Sequence, residues 1–303
     1  MYRQHFGLQS APFTITPDTG FFHNAGTHQE ALNVLLVALQ SGAGFLKVTG
    51  EVGTGKTLLC RKLLNTLDDR YVTAYIPNPF LNPTALRMAF AEELGIVFAR
   101  NLGQHRLLKL ITERLVELNA AGRRVVLLID EAQALPDDSL EALRLLTNLE
   151  TEKDKLLLVV LFGQPELDRR LAQNHLRQLK QRILFSYQLQ PLDRRALNAY
   201  LQHRLTIAGY HGAPLFSPRA IRRLHQASRG IPRLINVLCH KALMAAYGSG
   251  QRVIDHRHMQ RAIADTEDAG AVRRPHGQGL LARWLSAALL AGASVGSAWG
   301  FRP

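Results

Sequence analysis

The chain has 303 residues, of which 47% are hydrophobic, and it carries a formal net charge of +13 at pH 7. This length allows more than one domain, and the hydrophobic fraction excludes a generally disordered protein. The two cysteines, Cys60 and Cys239, are too few and too far apart for a disulfide framework or a cysteine-rich metal module, and no apolar run typical of a signal peptide follows Met1. We therefore expect a protein of the reducing cytoplasm.

The positive charge is concentrated in the second part of the chain. Residues 181–303 contain 17 Lys and Arg against 5 Asp and Glu, whereas residues 1–180 are nearly balanced. Most of the excess is arginine. Such a region is either a solvated basic surface or a face for nucleic acid, an anionic membrane or the phosphates of another subunit.

Short apolar runs alternate with longer amphipathic stretches through the first part of the chain. Apolar runs of this kind are typical of strands that are covered on both faces, as in a parallel sheet. The five runs are residues 45–49, 72–76, 125–129, 156–162 and 184–189. Helical spacing between them, as at 104–119 and 139–150, predicts an α/β fold with a five-stranded parallel sheet.

A glycine-rich sequence, Gly-Glu-Val-Gly-Thr-Gly-Lys-Thr, follows the first predicted strand and opens a predicted helix at 58–67. In this context the string predicts a P-loop, whose backbone amides and helix N-terminus bind phosphate. We expect Lys56 to reach the β- and γ-phosphates of ATP and Thr57 to ligate Mg²⁺. The predicted nucleotide-binding residues here are Gly50, Glu51, Val52, Gly53, Thr54, Gly55, Lys56, Thr57 and Leu58.

An acidic pair, Asp130 and Glu131, ends the third predicted strand. The carboxyl ends of parallel strands share one edge of the sheet, so the pair is expected beside the P-loop. Asp130 is the predicted Mg²⁺ partner, and Glu131 is the predicted base that polarises the attacking water. An acidic pair is often only a helix cap, but the upstream P-loop favours the catalytic interpretation.

After Pro191 the apolar spacing becomes purely helical, which predicts a small all-helical second domain. We therefore divide the chain into an α/β nucleotide-binding domain at 1–190 and a helical lid domain at 191–267. A basic linker at 268–283 and an apolar segment at 284–301 follow.

The apolar segment has 18 residues without a formal charge and a tryptophan near each end. This barely reaches the length of a transmembrane helix, so it is predicted either to span a bilayer or to lie against a membrane or a partner. Arg273, Arg274 and Arg283 precede it, and insertion would keep the preceding domains in the cytoplasm by the positive-inside rule.

Together these motifs resemble the AAA+ ATPases and, more narrowly, the general secretion pathway protein A family. The resemblance covers residues 6 to about 267 and includes an aromatic N-terminal signature around Phe6, Phe13 and Phe21, whose rings either cover the adenine or pack as core. The short length is similar to members that serve MSHA-type type IV pili. The resemblance implies a P-loop AAA+ core followed by a small all-helical lid.

The resemblance also implies roles for three polar residues. Asn78, beyond the second strand, matches the position of a polar partner of the catalytic glutamate. Gln164, which ends the fourth strand, matches sensor 1, and Asn148 is the competing candidate.

Arginines complete the implied site. Arg182, with Arg177 as the alternative, precedes the fifth strand, where AAA+ proteins project an arginine finger into a neighbour's site. Arg233 matches sensor 2, which reaches from the lid to the γ-phosphate. An arginine fork suits phosphate, although each of these residues also has the simpler interpretation of a surface charge.

The implied activity is Mg²⁺-dependent ATP hydrolysis in a homo-oligomer that binds ATP at subunit interfaces. The implied place is the cytoplasmic face of the bacterial inner membrane, with pilus or type II secretion assembly proteins and an anionic membrane surface as partners. The first alternative is a DNA-dependent ATPase of the transposition-regulator type, although nucleic acid is the weaker candidate partner. The second alternative is a scaffold that binds ATP and scarcely hydrolyses it.

Overall fold

The computed structural model describes residues 2–22, 26–99, 101–150 and 155–269. Five strands form one parallel sheet in the order β2-β3-β4-β1-β5. This arrangement confirms the predicted five-stranded α/β fold. The strands are β1 (Phe45–Gly50), β2 (Tyr71–Ile76), β3 (Arg124–Ile129), β4 (Leu157–Gly163) and β5 (Ile183–Leu189).

Helices connect the strands and continue after the sheet ends. The helices are α1 (Tyr2–Phe6), α2 (Thr27–Gln40), α3 (Lys56–Thr66), α4 (Pro83–Glu93), α5 (Gln104–Ala120), α6 (Asp137–Leu146), α7 (Pro165–Leu171), α8 (Arg177–Arg182), α9 (Arg194–Ile207), α10 (Pro218–Ser228), α11 (Pro232–Gly248) and α12 (His256–Ala264). Short 3-10 turns lie at Thr19–Phe21, Ala132–Ala134, Asn174–Leu176 and Glu267–Ala269.

The sheet is covered on both faces, which explains its continuous apolar strands. Alternate residues of β3 point to opposite faces: Leu127 joins the core under α4 to α8, and Val126 joins the core under α2 and α3. β4 is buried along its whole length. Burial of this apolar surface is the main stabilising term for the layer, at about 25 cal/mol per Å² removed from water.

The four helices α9 to α12 form a second core, and the N-terminal segment belongs to it. Phe6, Phe13 and Phe21 are buried there against lid residues such as Leu197 and Phe216, with the Phe13 and Phe216 ring centroids 5.9 Å apart. Of the two interpretations of the aromatic signature, packing as core is therefore the one that the structure supports.

Each core contains one free cysteine. Cys60 lies on α3 in the core beneath the sheet, and Cys239 lies on α11 in the lid core. Both are fully buried, and burial raises the pKa of both thiols.

The apolar segment at 284–301 and nearly all of the basic linker at 268–283 lie outside the described residues. Among the residues that the structure describes, none of the helices combines the length and the hydropathy that a membrane span requires.

Candidate nucleotide site

The backbone of the P-loop surrounds Lys56, the residue predicted to reach the phosphates of ATP. β1 ends at Gly50 and α3 begins at Lys56, whose Nζ donates to the carbonyls of Gly50 at 2.8 Å and Glu51 at 3.0 Å. Lys56 is buried, and burial lowers the pKa of its ammonium group while the nearby carboxylates of Glu131 and Asp130 raise it. A buried cation at a helix N-terminus is a suitable partner for a polyphosphate.

A buried carboxylate stands beside this loop at the end of β3. Burial raises the pKa of Asp130, and hydrogen bonding with the Thr57 hydroxyl opposes that shift. Thr57 occupies the first turn of α3, so the structure brings the two predicted Mg²⁺ ligands together. A hydroxyl and a carboxylate are the oxygen ligands that Mg²⁺ prefers, and the residues therefore fit the ion.

Glu131 is held by two glutamine side chains. Its Oε2 accepts hydrogen bonds from Gln133 Nε2 at 2.5 Å and from Gln164 Nε2 at 3.1 Å. Gln133 Oε1 in turn accepts from the backbone amide of Gln164 at 3.0 Å. Glu131 itself adopts a left-handed conformation with φ 51°. A non-glycine residue rarely adopts this backbone conformation, and such outliers cluster at functional sites.

The lid touches the P-loop directly through the start of α11. The backbone amide of Arg233 donates to the Gly53 carbonyl at 3.1 Å. Gly53 has φ +81°, and a Cβ there would stand 2.7 Å from Arg233 Cβ, so only glycine allows this approach. Arg233 thus lies in the first turn of a lid helix, against the phosphate-binding loop.

A cleft of about 510 Å³ opens between the P-loop, the lid and an N-terminal segment that we call the strap (residues 12–18). The apolar side chains of Ile15 and Val52 are 62% and 53% exposed there, which leaves an apolar surface for a nucleotide base. The cleft also reaches Thr57, Glu131 and Arg233. Its lining therefore matches a base at one end and phosphates at the other.

A buried arginine from the lid joins the strap to the cleft wall. Arg204 Nε donates to the Pro12 carbonyl at 2.5 Å, and its guanidinium lies 4.5 Å from the centroid of the Phe21 ring. It also donates to the Tyr200 hydroxyl at 3.2 Å. Asn236 Nδ2 donates to the carbonyl of Thr14 at 3.0 Å. Lid side chains thus hold the strap through hydrogen bonds to the backbone carbonyls of the strap.

The P-loop has a further partner in α2. His28 Nε2 lies 2.7 Å from the Thr54 carbonyl and, in the tautomer that carries its proton on Nε2, the neutral imidazole donates to that carbonyl. Burial lowers the pKa of His28, which favours the neutral form. Neither His28 nor Arg204 was predicted from sequence, because no local motif contains either residue and both act through long-range contacts.

Three of the residues considered for the site lie away from this cluster. Asn78 is exposed beyond β2, and no described hydrogen bond joins it to Glu131. Arg182 Nη1 donates to the Arg144 carbonyl at 3.2 Å and to the Asn148 side chain, near the C-terminus of α6. Asn148 therefore pairs with Arg182, whereas Gln164 contacts Glu131.

Arg177, at the start of α8, is exposed, and its side chain has no hydrogen-bond or ion-pair partner among the described residues. Of the two finger candidates, Arg177 is thus the one whose guanidinium is free within the described part of the subunit.

The arrangement suits phosphoryl transfer to water. When bound, ATP would supply the phosphoanhydride and Mg²⁺ would neutralise charge on the phosphates. Lys56 and the loop amides are placed to bind the phosphates, and Thr57 and Asp130 are placed to hold the ion. Glu131, fixed by its two glutamines, is placed to accept a proton from water.

Comparison with known proteins gives two sequence matches. A family model described as an AAA domain matches residues 39–171. General secretion pathway protein A of Aeromonas hydrophila is 47% identical over 256 residues, which cover 84% of this chain. The chain spans about half (47%) of the length of that relative.

Solved structures are similar in fold at low sequence identity. Cdc6p of Pyrobaculum aerophilum superposes with a TM-score of 0.62 at 20% identity and covers 82% of this chain and 71% of its own. The ORC1 protein of Aeropyrum pernix, solved in complex with DNA, gives 0.59 at 18% identity and covers 84% and 69%. At these identities the likeness shows a shared fold. The match to an AAA domain and the assembled nucleotide site together make ATP, Mg²⁺ and ATP hydrolysis the chemistry of this chain.

Proposed function

Because this chain is an AAA+ ATPase related to general secretion pathway protein A, we propose that it drives assembly of a type II secretion apparatus or a type IV pilus. Within that range we favour a pilus role of the kind served by the MSHA pilus biogenesis ATPase MshM. The place of action is the cytoplasmic face of the bacterial inner membrane, and the partners are the assembly proteins of that membrane.

One observation carries the proposal. The 47% identity with general secretion pathway protein A extends over 256 residues, far beyond the 39–171 region that the AAA domain alone explains. A match that extends so far beyond the AAA domain supports a shared partner or task as well as a shared fold.

Within the active site we propose that Glu131 is the general base, that Lys56 and Arg233 bind the phosphates, and that Thr57 and Asp130 hold Mg²⁺. The hydrogen bond from Gln164 to Glu131 supports Gln164 as the sensor that links the γ-phosphate to the base. We also propose Asn78 as a polar partner of Glu131; it is exposed, and no hydrogen bond joins the two within the described residues.

We further propose that the chain works as a homo-oligomer in which a neighbour's arginine completes the site. Arg182 is the finger predicted from sequence, but its guanidinium is engaged with α6 of its own subunit. The unpartnered Arg177 supports that residue as the group that reaches across. An arginine finger contributes about 10³–10⁵ in rate, so the two assignments are readily distinguished by mutation.

The functional proposal is tested in cells that carry Glu131→Gln in place of the wild-type chain. We expect surface pili or secreted substrates to disappear while the protein accumulates normally. The matched control is Glu117→Gln, which changes an exposed glutamate on α5 and should leave assembly intact. Normal pili and normal secretion in the Glu131→Gln cells would refute the proposal.

A DNA-dependent ATPase is the second candidate function. It is supported by the excess of arginine in the second part of the chain, since arginine contacts phosphate backbones without sequence preference. This candidate predicts ATP turnover that rises with added duplex DNA and falls again as salt is increased. Turnover that is indifferent to DNA would favour the assembly role.

A further inference from the structure

The lid carries five exposed arginines on two neighbouring helices, and four of them occupy equivalent positions along the two helices. We call Arg219 and Arg223 of α10 and Arg257 and Arg261 of α12 the arginine quartet. All four are exposed, and none has an ion-pair or side-chain hydrogen-bond partner among the described residues. Four like charges without carboxylate partners are an unusual concentration on so small a surface, and they make it a candidate site for an anionic partner.

The two helices hold the quartet in register. Phe216 and Ile254 pair in a parallel β-bridge immediately before the helices, and Ser217 Nα donates to the Ile254 carbonyl at 2.9 Å. Ser217 and Asp255 are then the N-caps of α10 and α12, and each accepts a hydrogen bond from the backbone amide three residues later. On each helix the first quartet arginine lies two residues after the N-cap and the second lies six residues after it. Arg219 and Arg257 therefore lie at equivalent positions, and Arg223 and Arg261 lie one turn farther along.

The apolar sides of both helices face the lid interior. Leu224 of α10 and Met259 and Ala262 of α12 are buried, and α10 packs against α12. The outward side is therefore arginine-rich, and its binding must depend on charge. An interfacial helix that inserts into a bilayer would instead keep its apolar side free.

The combined width of α10 and α12 limits which anionic partner the quartet can bind. Packed helices lie about 8–10 Å apart and each is about 10–12 Å wide, so the pair is broader than the ~12 Å major groove of DNA. The two helices therefore cannot enter one DNA groove together. A broad, flat anionic surface can contact all four arginines at the same time.

The sequence that follows α12 also favours a broad anionic surface. After α12 and the turn at Glu267–Ala269, the sequence continues to Arg273, Arg274 and Arg283 and then to the uncharged segment at 284–301. The quartet is therefore followed in sequence first by three acidic residues, Asp265, Glu267 and Asp268, and then by further basic residues and an apolar stretch. Basic residues directly before an apolar stretch are typical of segments that approach anionic lipid.

We propose that the arginine quartet docks the lid on an anionic phospholipid surface. This inference rests on the proposed function at the inner membrane and identifies the part of the folded protein that faces the lipid. Binding would be electrostatic and reversible, with the guanidinium groups against lipid phosphates. Since each basic residue near such a surface contributes about fivefold in partition, loss of all four should lower binding by at least about a hundredfold.

The test is sedimentation of the full chain with two kinds of vesicle. Vesicles of equimolar phosphatidylglycerol and phosphatidylcholine measure the charge-dependent binding, and vesicles of phosphatidylcholine alone measure any contribution of the apolar segment. We expect substitution of all four quartet arginines by glutamine to reduce the difference between the two kinds of vesicle by at least about a hundredfold. The double variant Arg194→Gln and Arg195→Gln removes exposed charge elsewhere on the lid and serves as the control, and it should keep that difference.

Glutamine retains helix propensity, so the quartet variant should fold. Unchanged basal ATP turnover and an unchanged thermal midpoint would establish that it does. Equal binding of wild type and quartet variant to anionic vesicles would overturn the proposal, as would loss of duplex DNA binding with vesicle binding intact. The assay involves no pilus or secretion partner, so it can fail while the assembly role stands, and it can succeed while that role fails.

Discussion

The proposed catalytic carboxylate, Glu131, is positioned by its neighbours more than by its motif. Glu131 combines a left-handed backbone with two glutamine donors, and this positions one carboxylate oxygen while leaving the other for water. The sequence was sufficient to predict that Glu131 and Lys56 lie close together, because a P-loop and an acidic strand end belong to one sheet edge. The contribution of Gln133 was not predictable, since it depends on a 3-10 turn at Ala132–Ala134.

We predict that Glu131→Gln lowers the ATP turnover rate by about 10²-fold or more, because general base catalysis contributes about 10²–10⁴. ATP affinity should change by only a few-fold, since the phosphate-binding lysine and loop are untouched. Steady-state turnover and fluorescent-nucleotide binding measure the two quantities. Turnover that stays at the wild-type rate would mean that another group activates the water.

His28 predicts how stability depends on pH. Burial lowers the pKa of His28, so the folded chain binds its proton more weakly than the unfolded chain, whose imidazole titrates near 6.5. The unfolded chain therefore takes up this proton first as the pH falls. The free energy of unfolding is unaffected by protonation of His28 above about pH 6.5 and decreases as the pH falls below that value. Urea unfolding at about pH 7.5 and about pH 5.5 measures the difference.

We expect His28→Gln to reduce this difference, because an amide can donate to the Thr54 carbonyl without titrating. The exposed His211 provides the control, and His211→Gln should leave the pH dependence as it is in wild type. An identical pH dependence in the His28→Gln variant would show that protonation of His28 is not linked to unfolding.

At the scale of elements, the strands were predicted closely and the helix ends were not. The five strands lie within about two residues of their predicted bounds because each is a buried apolar run. The helix predicted at 139–150 instead runs from Asp137 to Leu146. Thr147 follows it and bonds back to the Arg144 carbonyl, while Glu150 turns to pair with Lys155. Such ends depend on side-chain caps that periodicity does not encode.

The strap is the element whose position was least predictable. Its flanking aromatic residues could equally suit the sheet or the lid, and the sequence contains no feature that decides between two apolar cores. In the structure it bridges both layers: Arg61 of α3 donates to the Pro17 carbonyl at 3.2 Å, and Arg204 of α9 donates to the Pro12 carbonyl. The strap thus connects the P-loop helix with the lid.

We predict that Arg204→Met loosens the strap, because a hydrogen bond from a charged group contributes about 1.5–3 kcal/mol and methionine cannot replace it. The free energy of unfolding should fall by that order, and ATP affinity should fall with it. Arg194→Met, at an exposed position of the same helix, should change neither quantity. Urea denaturation and nucleotide titration provide the measurements, and unchanged ATP affinity would separate the strap from the nucleotide site.

At the scale of the whole molecule, the described subunit does not place a finger arginine in its own cleft. Arg177 is free, Arg182 is engaged with α6, and neither lines the cleft. The proposed homo-oligomer would account for this, because each subunit would then offer Arg177 to the site of the next.

We therefore predict that ATP turnover per subunit rises with protein concentration and that Arg177→Ala lowers the plateau by about 10³-fold or more. Arg182→Ala should instead lower thermal stability, since it leaves the end of α6 without its donor. Turnover across a dilution series, with mass measured by light scattering, checks both expectations. The reverse pattern would assign the finger to Arg182.

The two buried cysteines make it possible to measure how each core opens. Cys60 and Cys239 lie in different cores, and a thiol reacts with an alkylating agent only when its surroundings open. Timed alkylation followed by peptide mass analysis therefore yields two opening rates from one sample of the unmodified chain. Equal rates would mean that the sheet and the lid unfold as one cooperative unit, whereas faster labelling at Cys239 would identify the lid as the part that opens alone.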